Sequence, residues 1–363
     1  MTTPNSNIYS VITGSGSCIP EIIVKNADFA NALFMNENGS IIELPGHEIV
    51  QKFEHITDIV QRRCAADNQV TSDLATIAGK EALEEAGFDP ENLDYIIVAH
   101  NLGDVKKGSL YPDILPPLAS RVKRKLGIKN PRTVAYDITF GCPGWTQAMI
   151  QANYFIQSGD AKSILVIGAD TLSRAMDPHD RDAMIFADGA GAALLEARWS
   201  TEPVGILKHS ARTDTEEHID LLEMNLSYNP ELRNDNLYLK MKGRRVYNYA
   251  LTHVPTLAKE CIEKNNLKLH DIKKVLIHQA NAKMDEAILT RLFKIFGEKK
   301  VNLSLMPMTI RELGNSSVAT VPTLYNLVKK GRMEGHQMNS GDYILMTSVG
   351  AGMNINAFVY RMP

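Results

Sequence analysis

Ala135-Tyr136-Asp137-Ile138-Thr139-Phe140-Gly141-Cys142-Pro143-Gly144-Trp145 is the stretch on which both fold and chemistry turn. An apolar, strand-like run breaks at a glycine and passes into a helical pattern over 146–157. Proline is tolerated at the first helical position, where a backbone N–H has no partner to lose, so Pro143 marks the helix start and sets Cys142 at its N-terminus. The positive end of a helix dipole and its free N–H groups favour a thiolate over a thiol, and the thiolate is the form that attacks a carbonyl carbon. On this stretch alone a nucleophile and a small buried thiol weigh equally, because most free cysteines in reduced chains serve as small hydrophobes.

The 363 residues, 44% hydrophobic and 22% charged, can bury a large core and fit one large domain or two fused halves. A net charge of −3 argues against a nucleic-acid binder that relies on neutralising phosphates. Cys18, Cys64, Cys142 and Cys261 lie far apart with no CxxC pair, which suits reduced thiols in a cytoplasmic protein; no metal site is expected. Residues 1–8 are polar with no signal-type apolar core after them, and no run approaches bilayer length, so neither secretion nor membrane insertion is expected.

Taken in order, Ile8-Tyr9-Ser10-Val11-Ile12-Thr13 alternates as a strand, and Gly14-Ser15-Gly16-Ser17 reads as a tight turn. A dinucleotide loop is disfavoured there, since Pro20 and Glu21 stand where a helix would have to start. Residues 34–47 form an excursion with hairpin character, laid over the body. A helix follows from residue 72, with Ser72 or Asp73 as cap and Gly87 as stop, and then a buried strand over 93–99. Residues 118–126 form a helix bearing Arg121, Lys123, Arg124 and Lys125. The small residues of Asp188-Gly189-Ala190-Gly191-Ala192 predict close backbone approach around the cysteine loop.

The second half repeats this order. Leu93-Asp94-Tyr95-Ile96-Ile97-Val98-Ala99-His100-Asn101 is matched by Ile272-Lys273-Lys274-Val275-Leu276-Ile277-His278-Gln279-Ala280-Asn281. The strand-turn-helix at Cys142 is matched by Leu313-Gly314-Asn315-Ser316-Ser317-Val318-Ala319-Thr320, and Ala190-Gly191-Ala192-Ala193 by Ser348-Val349-Gly350-Ala351-Gly352-Met353. Two pseudo-symmetric α/β halves, 1–200 carrying the cysteine and 201–363 carrying histidine and asparagine, are expected to place a site between them.

A thiol, an imidazole and a carboxamide thus occur in the order Cys142, His278, Asn315, within the words His-Gln-Ala-Asn and Gly-Asn-Ser-Ser-x-Ala-Thr-x-Pro. With Thr71-Ser72-Asp73-Leu74-Ala75 and the segments from Ile12-Thr13-Gly14-Ser15-Gly16 to Gly350-Ala351-Gly352, the chain closely resembles the ketoacyl-acyl-carrier-protein synthase III family of thiolase-fold condensing enzymes. The resemblance implies a layered α-β-α-β-α fold and a Claisen condensation through an acyl-Cys142 intermediate, with ping-pong kinetics. It implies that His278 and Asn315 donate to the oxygen of the second thioester as an enolate forms, and that backbone N–H groups of Cys142 and the Gly350-Ala351 turn hold the tetrahedral oxyanion. It further implies substrate contacts at Arg181, Leu115, Phe140, Trp145, Met241, Gly243 and Asn281, and docking of an acyl carrier protein at Arg244, Arg245 and Lys283. The clusters Arg121, Lys123, Arg124, Lys125 and Lys240, Lys242, Arg244, Arg245 would add to that positive surface. No cofactor is expected to stay bound; acyl-coenzyme A and acyl-carrier-protein thioesters are substrates. A cytoplasmic homodimer is implied, with the loop 102–117 reaching toward the partner's pocket and Leu115 near its tip.

The departures narrow the reading. Phe140, Pro143 and Trp145 stand where the family usually has small residues, no tryptophan occurs over 45–53 to stack on coenzyme A, and Asn248 replaces a docking lysine, while Arg181 and Lys283 match. Carrier-borne delivery is favoured over coenzyme A. The nearest subgroup joins two long acyl chains into precursors of dialkylresorcinols. A papain-type hydrolase shares the Cys, His, Asn order but not the surrounding words or the duplicated architecture, and a non-catalytic thiolase-fold subunit need not keep all three side chains.

Overall fold

The computed structural model describes residues 6–109, 111–232 and 236–363; positions 1–5 and 110, parts of the polar start and of the loop 102–117, lie outside the described residues. Two sheets organise the chain. The first has the strand order Asn7–Cys18, Asp188–Ser200, Ser163–Thr171, Tyr95–Ala99, Val134–Ile138, and the second Gly205–Thr213, Asn354–Arg361, Tyr343–Gly350, Ile272–Ile277. Reading both from the same end, the first two junctions are antiparallel and the third is parallel. The duplication is therefore one of strand order and direction. It corrects one expected match: Tyr343–Gly350 stands in the place of Ser163–Thr171, and the counterpart of Asp188–Ser200 is Asn354–Arg361. Val134–Ile138, parallel to Tyr95–Ala99, has no counterpart in the four-stranded sheet among the described residues.

Five layers result. Gly144–Ser158 and Thr320–Lys329 lie between the sheets, where Met149, Ile156, Leu324 and Tyr325 pack with Ile97 and Val166 of one sheet and Met346 and Phe358 of the other. A helix covered on both sides must be apolar nearly all round, and Thr320–Lys329 is buried from Thr320 through Val328. Thr71–Ala86 and Leu118–Lys125 cover the outer face of the first sheet, and Gly243–Lys264 and Ala282–Ile295 that of the second. Ser163–Thr171 is buried along its whole length, as a continuous apolar run predicts for a strand covered on both faces.

Gly14 and Gly16 make no turn. The strand runs through them to Cys18, with an irregularity in register between Ile12 and Gly14. Their glycines answer to a neighbour, because a Cβ at Gly14 would run into the Ala82 carbonyl oxygen and one at Gly16 into that of Ala78. The helix Thr71–Ala86 thus lies directly on the strand. It starts one residue earlier than expected, its cap being Val70, whose N–H bonds Asp73 Oδ2 at 2.9 Å, while Gly87 ends it at φ 61°. The excursion is a small hairpin, Met35 pairing with Ile41, and is fastened to the body by Met35 N–H on His179 O at 2.8 Å.

Because a helix backbone cannot yield as a side-chain tip can, Gly14→Ala is expected to cost about 1–3 kcal/mol, the usual range for overpacking. The urea midpoint measures this; an unchanged midpoint would show that the strand and helix are not in contact.

Candidate active site

Cys142 sits at the bend between Val134–Ile138 and Gly144–Ser158. Gly141, at φ 66°, makes the bend, and Pro143 is the cap, so the helix begins one residue later than expected and Cys142 precedes the cap. Against this loop lies the turn that follows Tyr343–Gly350. A Cβ on Gly350 would lie 2.6 Å from Cys142 N, and one on Gly141 2.8 Å from Ala351 N. The three residues expected to supply oxyanion donors are therefore in contact, and only glycine permits it.

His278 follows Ile272–Ile277 and is buried, its backbone N–H on Thr347 O at 3.0 Å. The next residue anchors it: Gln279 Oε1 accepts from Thr309 N–H at 2.8 Å, and Nε2 donates to Pro307 O at 2.7 Å. Asn281 caps Ala282–Ile295 through Met284 N–H at 3.1 Å. Asn315 is clamped to the first half by two backbone bonds of 2.9 Å, its N–H to Ile185 O and its carbonyl to Ala187 N–H. Its Oδ1 takes Ser317 N–H at 2.8 Å, and no hydrogen bond engages Nδ2 among the described residues.

Ser317 joins these parts. Its hydroxyl donates to Cys142 Sγ at 3.3 Å, its N–H holds Asn315, and its backbone is near enough to the His278 imidazole to pull that group's pKa upward. Its φ of 52° is uncommon outside glycine. Behind it, Asn101 Nδ2 donates to Ser317 Oγ at 2.8 Å and to Asp170 Oδ2 at 2.6 Å. Sequence reasoning missed Ser317, Asn101 and Asp170, although the Gly-Asn-Ser-Ser word held the first, and the strand ending in His100-Asn101 held the second.

Burial sets the protonation states. It pushes the Cys142 thiol up to about 12, against the pull of the Ser317 hydrogen bond and with a further push from Asp170. It pushes His278 down to about 4, so the imidazole is neutral, and its buried Nδ1 has no partner among the described residues. Asp170 is raised to about 6, again by burial. The expected resting thiolate is thus corrected: the helix terminus favours charge, but loss of hydration outweighs it here. Alkylation of Cys142 by iodoacetamide in the free protein is expected to rise about tenfold per pH unit between roughly pH 7 and 10, since the thiolate fraction rises with pH below the pKa. A plateau below pH 8 would contradict this.

Four of the expected substrate contacts, Arg181, Met241, Gly243 and Asn281, line one cavity of about 450 Å³, together with Arg244, Phe53 and Tyr247. Ile185, which holds Asn315, and Ala280, two residues after His278, line it too, so the cavity adjoins the wall that carries both. The other three do not line it. Trp145 is 1% exposed in the core between the sheets, its indole N–H 3.4 Å from Val166 O. Phe140 is half-buried beside the cysteine bend, and Leu115 is 83% exposed.

The basic clusters are largely answered from within. Arg121 pairs with Asp104 at 2.8 Å and Asp113 at 2.6 Å, and Lys125 with Asp73 at 2.7 Å. Lys123 donates to the Asn130 and Thr133 carbonyls, and buried Lys240 lies between Asp177 and Asp180. Lys242 and Arg245 both pair with Asp220. Arg244 and Lys283 are exposed, and no ion pair engages either among the described residues. The glycines of Asp188–Ser200 do admit a close neighbour, but it is the Asn315 segment: Gly189 faces Ser316 and Gly191 faces Pro322.

The sequence pattern of the 3-oxoacyl-[acyl-carrier-protein] synthase III family matches residues 136–215, and that of its C-terminal region residues 262–362. A beta-ketoacyl-[acyl-carrier-protein] synthase III of Vibrio vulnificus is 34% identical over 357 residues, 98% of this chain and 100% of that one. The crystal structure of the Aquifex aeolicus 3-oxoacyl-[acyl-carrier-protein] synthase III superposes with a TM-score of 0.77 at 29% identity, over 97% of this chain and 99% of that one. The priming beta-ketosynthase of the R1128 polyketide pathway gives 0.79 at 25% identity, over 100% and 98%. The layered fold and these relatives define a thiolase-fold condensing enzyme, an acyltransferase by class. The chain belongs to the 3-oxoacyl-[acyl-carrier-protein] synthase III family.

Proposed function

We propose that Cys142 takes an acyl group from a thioester, its proton leaving with the donor's thiol, and that the enolate of a second thioester attacks the acyl carbon, forming a carbon–carbon bond as the Cys142 thiolate departs. The observation that carries this is the meeting of Cys142 and Asn315 at Ser317, which bonds the sulfur through its hydroxyl and the amide through its N–H, with its backbone near the His278 imidazole. With Oδ1 committed to Ser317, Asn315 can only donate from Nδ2, and a neutral imidazole still carries one N–H to donate. Both suit the oxygen of an enolate, whose charge would develop beside two buried donors. The N–H groups of Cys142 and Ala351, brought together by Gly350, suit the oxyanion formed when the acyl-cysteine is attacked.

Cys142→Ser is expected to abolish acyl loading, read as intact mass after exposure to a natural thioester. His278→Ala and Asn315→Ala are each expected to load normally and to condense about 10²–10³-fold more slowly, the usual loss for one oxyanion donor. Loading that persists in Cys142→Ser, or that maps to another cysteine, overturns the assignment.

The cavity at Arg181, Met241, Gly243 and Asn281 suits a pantetheine arm, with Arg181, Lys52 and Arg244 at hand for phosphate. No cofactor is held permanently; the acyl groups arrive as thioesters of a carrier protein or of coenzyme A. Exposed Arg244 and Lys283 favour an acidic carrier protein, while Arg245, shared with Asp220, contributes less. Reversal of Arg244 and Lys283 to glutamate is expected to slow loading from a carrier-borne donor but not from a small soluble thioester, with the loss shrinking as salt is raised. Equal loss with both donors would contradict docking there. A reaction that joins two long acyl chains is the second reading, favoured by Leu44, Ile49, Ile56 and Met284 in the same wall; a chain-length panel of donors tests it.

A closed homodimer accompanies this reading. Val134–Ile138 is the edge of its sheet, with Val134 48% exposed, and Tyr111, Ile114 and Leu115 of the nearby loop are exposed apolar side chains. A monomer with full activity in analytical ultracentrifugation would rule it out. Among the described residues no helix is long and apolar enough to cross a membrane.

A further inference from the structure

A directed chain of hydrogen bonds runs from a buried carboxylate to the sulfur of Cys142. Asp170, 1% exposed at the end of Ser163–Thr171, takes the backbone N–H of Asn101 on Oδ1 at 2.8 Å and its Nδ2 on Oδ2 at 2.6 Å. An ionised carboxyl only accepts, so the Asn101 amide must turn its NH₂ toward it. The second hydrogen of that NH₂ then falls to Ser317 Oγ at 2.8 Å. With its oxygen engaged as an acceptor, the Ser317 hydroxyl has its own proton to give, and Cys142 Sγ lies 3.3 Å away. The Ser317 N–H, held by Asn315 Oδ1, keeps the residue at φ 52°, from which the hydroxyl reaches the sulfur.

We propose that Asp170, Asn101 and Ser317 are positioning residues: the carboxylate orients the amide, the amide orients the hydroxyl, and the hydroxyl gives Cys142 a fixed donor. The donor stabilises the sulfur's negative charge when the thiol loses its proton to attack, and again when the thiolate departs from the acyl carbon. This rests on the reading of Cys142 as the nucleophile. A role for Asp170 as a bare charge has the opposite sign, since a carboxylate near the sulfur opposes ionisation of the thiol. The other titratable groups around this chain are His100, whose charge would favour ionised Asp170, and His278, which is neutral.

The experiment is the rate of iodoacetamide alkylation of Cys142, mapped by peptide mass, at fixed pH near 8 in the full-length wild type and in Ser317→Gly, Asn101→Ala and Asp170→Asn. Glycine tolerates a positive φ, so Ser317→Gly removes the hydroxyl while keeping the backbone. It is expected to react about ten- to a hundredfold more slowly than wild type, the thiolate fraction forfeited with one hydrogen bond to a charged atom. Asn101→Ala and Asp170→Asn are expected to slow the reaction in the same direction, with thermal midpoints recorded alongside. Wild-type reactivity in Ser317→Gly overturns the proposal, as does faster reaction in Asp170→Asn. Failure of Ser317→Gly to fold also overturns it, by giving the serine a structural task instead. Acyl loading of the wild type separates the two readings: an acyl group that maps away from Cys142 ends the nucleophile assignment itself, whereas loading at Cys142 with unchanged alkylation rates ends only the relay.

Discussion

The turn from Gly314 to Ser317 is the constraint on which the site depends. Two left-handed residues, Gly314 at φ 70° and Ser317 at φ 52°, bend the chain so that Asn315 pairs with the backbone around Phe186 while the following residues lie on the first sheet. The sheet has been cleared to receive them. A Cβ at Gly168 would lie 2.5 Å from Val318 O, and one at Gly191 2.8 Å from Thr323 N. The two halves interlock backbone to backbone, and the reactive side chains are set by rigid elements, which is how positions are held to a fraction of an ångström.

Two charged side chains buried away from the site are closely engaged. Arg62, 1% exposed, spends its guanidinium on Met184 O, Val24 O and Asn26 Oδ1, and Asp188 is held by Ala65 N–H and by the N–H and hydroxyl of Ser173. At the site, among the described residues, His278 Nδ1 is buried without a partner and no hydrogen bond engages Asn315 Nδ2. An unmade hydrogen bond in a dry interior costs about 1–3 kcal/mol, a cost that a ligand supplying the partner removes.

What could be read from the chain was whatever depends on residue type and order. Cys142, His278 and Asn315 carry their neighbouring words with them, and the duplicated strands betray two similar halves. What could not be read depends on an approaching neighbour. Gly14 and Gly16 look like a turn until the helix Thr71–Ala86 is laid across them. The Cys142 terminus looks like a thiolate site until burial is counted, and Lys240 looks like surface charge until Asp177 and Asp180 close around it. Asn101 and Asp170 matter through bonds to residues far away in sequence, which no local pattern encodes.

The hairpin over 35–41 bears on how the cavity recognises its ligand. Met35 N–H bonds His179 O, while the His179 ring bonds Leu33 O at 2.8 Å and Asn229 Nδ2 at 3.2 Å, so the chain leading into Arg181 and Asp182 is tied down on both sides. Each side chain or loop immobilised on binding costs about 0.5–1.5 kcal/mol of affinity, and a rim ordered at folding is spared that loss. Under the proposed function, discrimination among acyl donors would rest more on the shape of a wall already in place than on ordering of the rim.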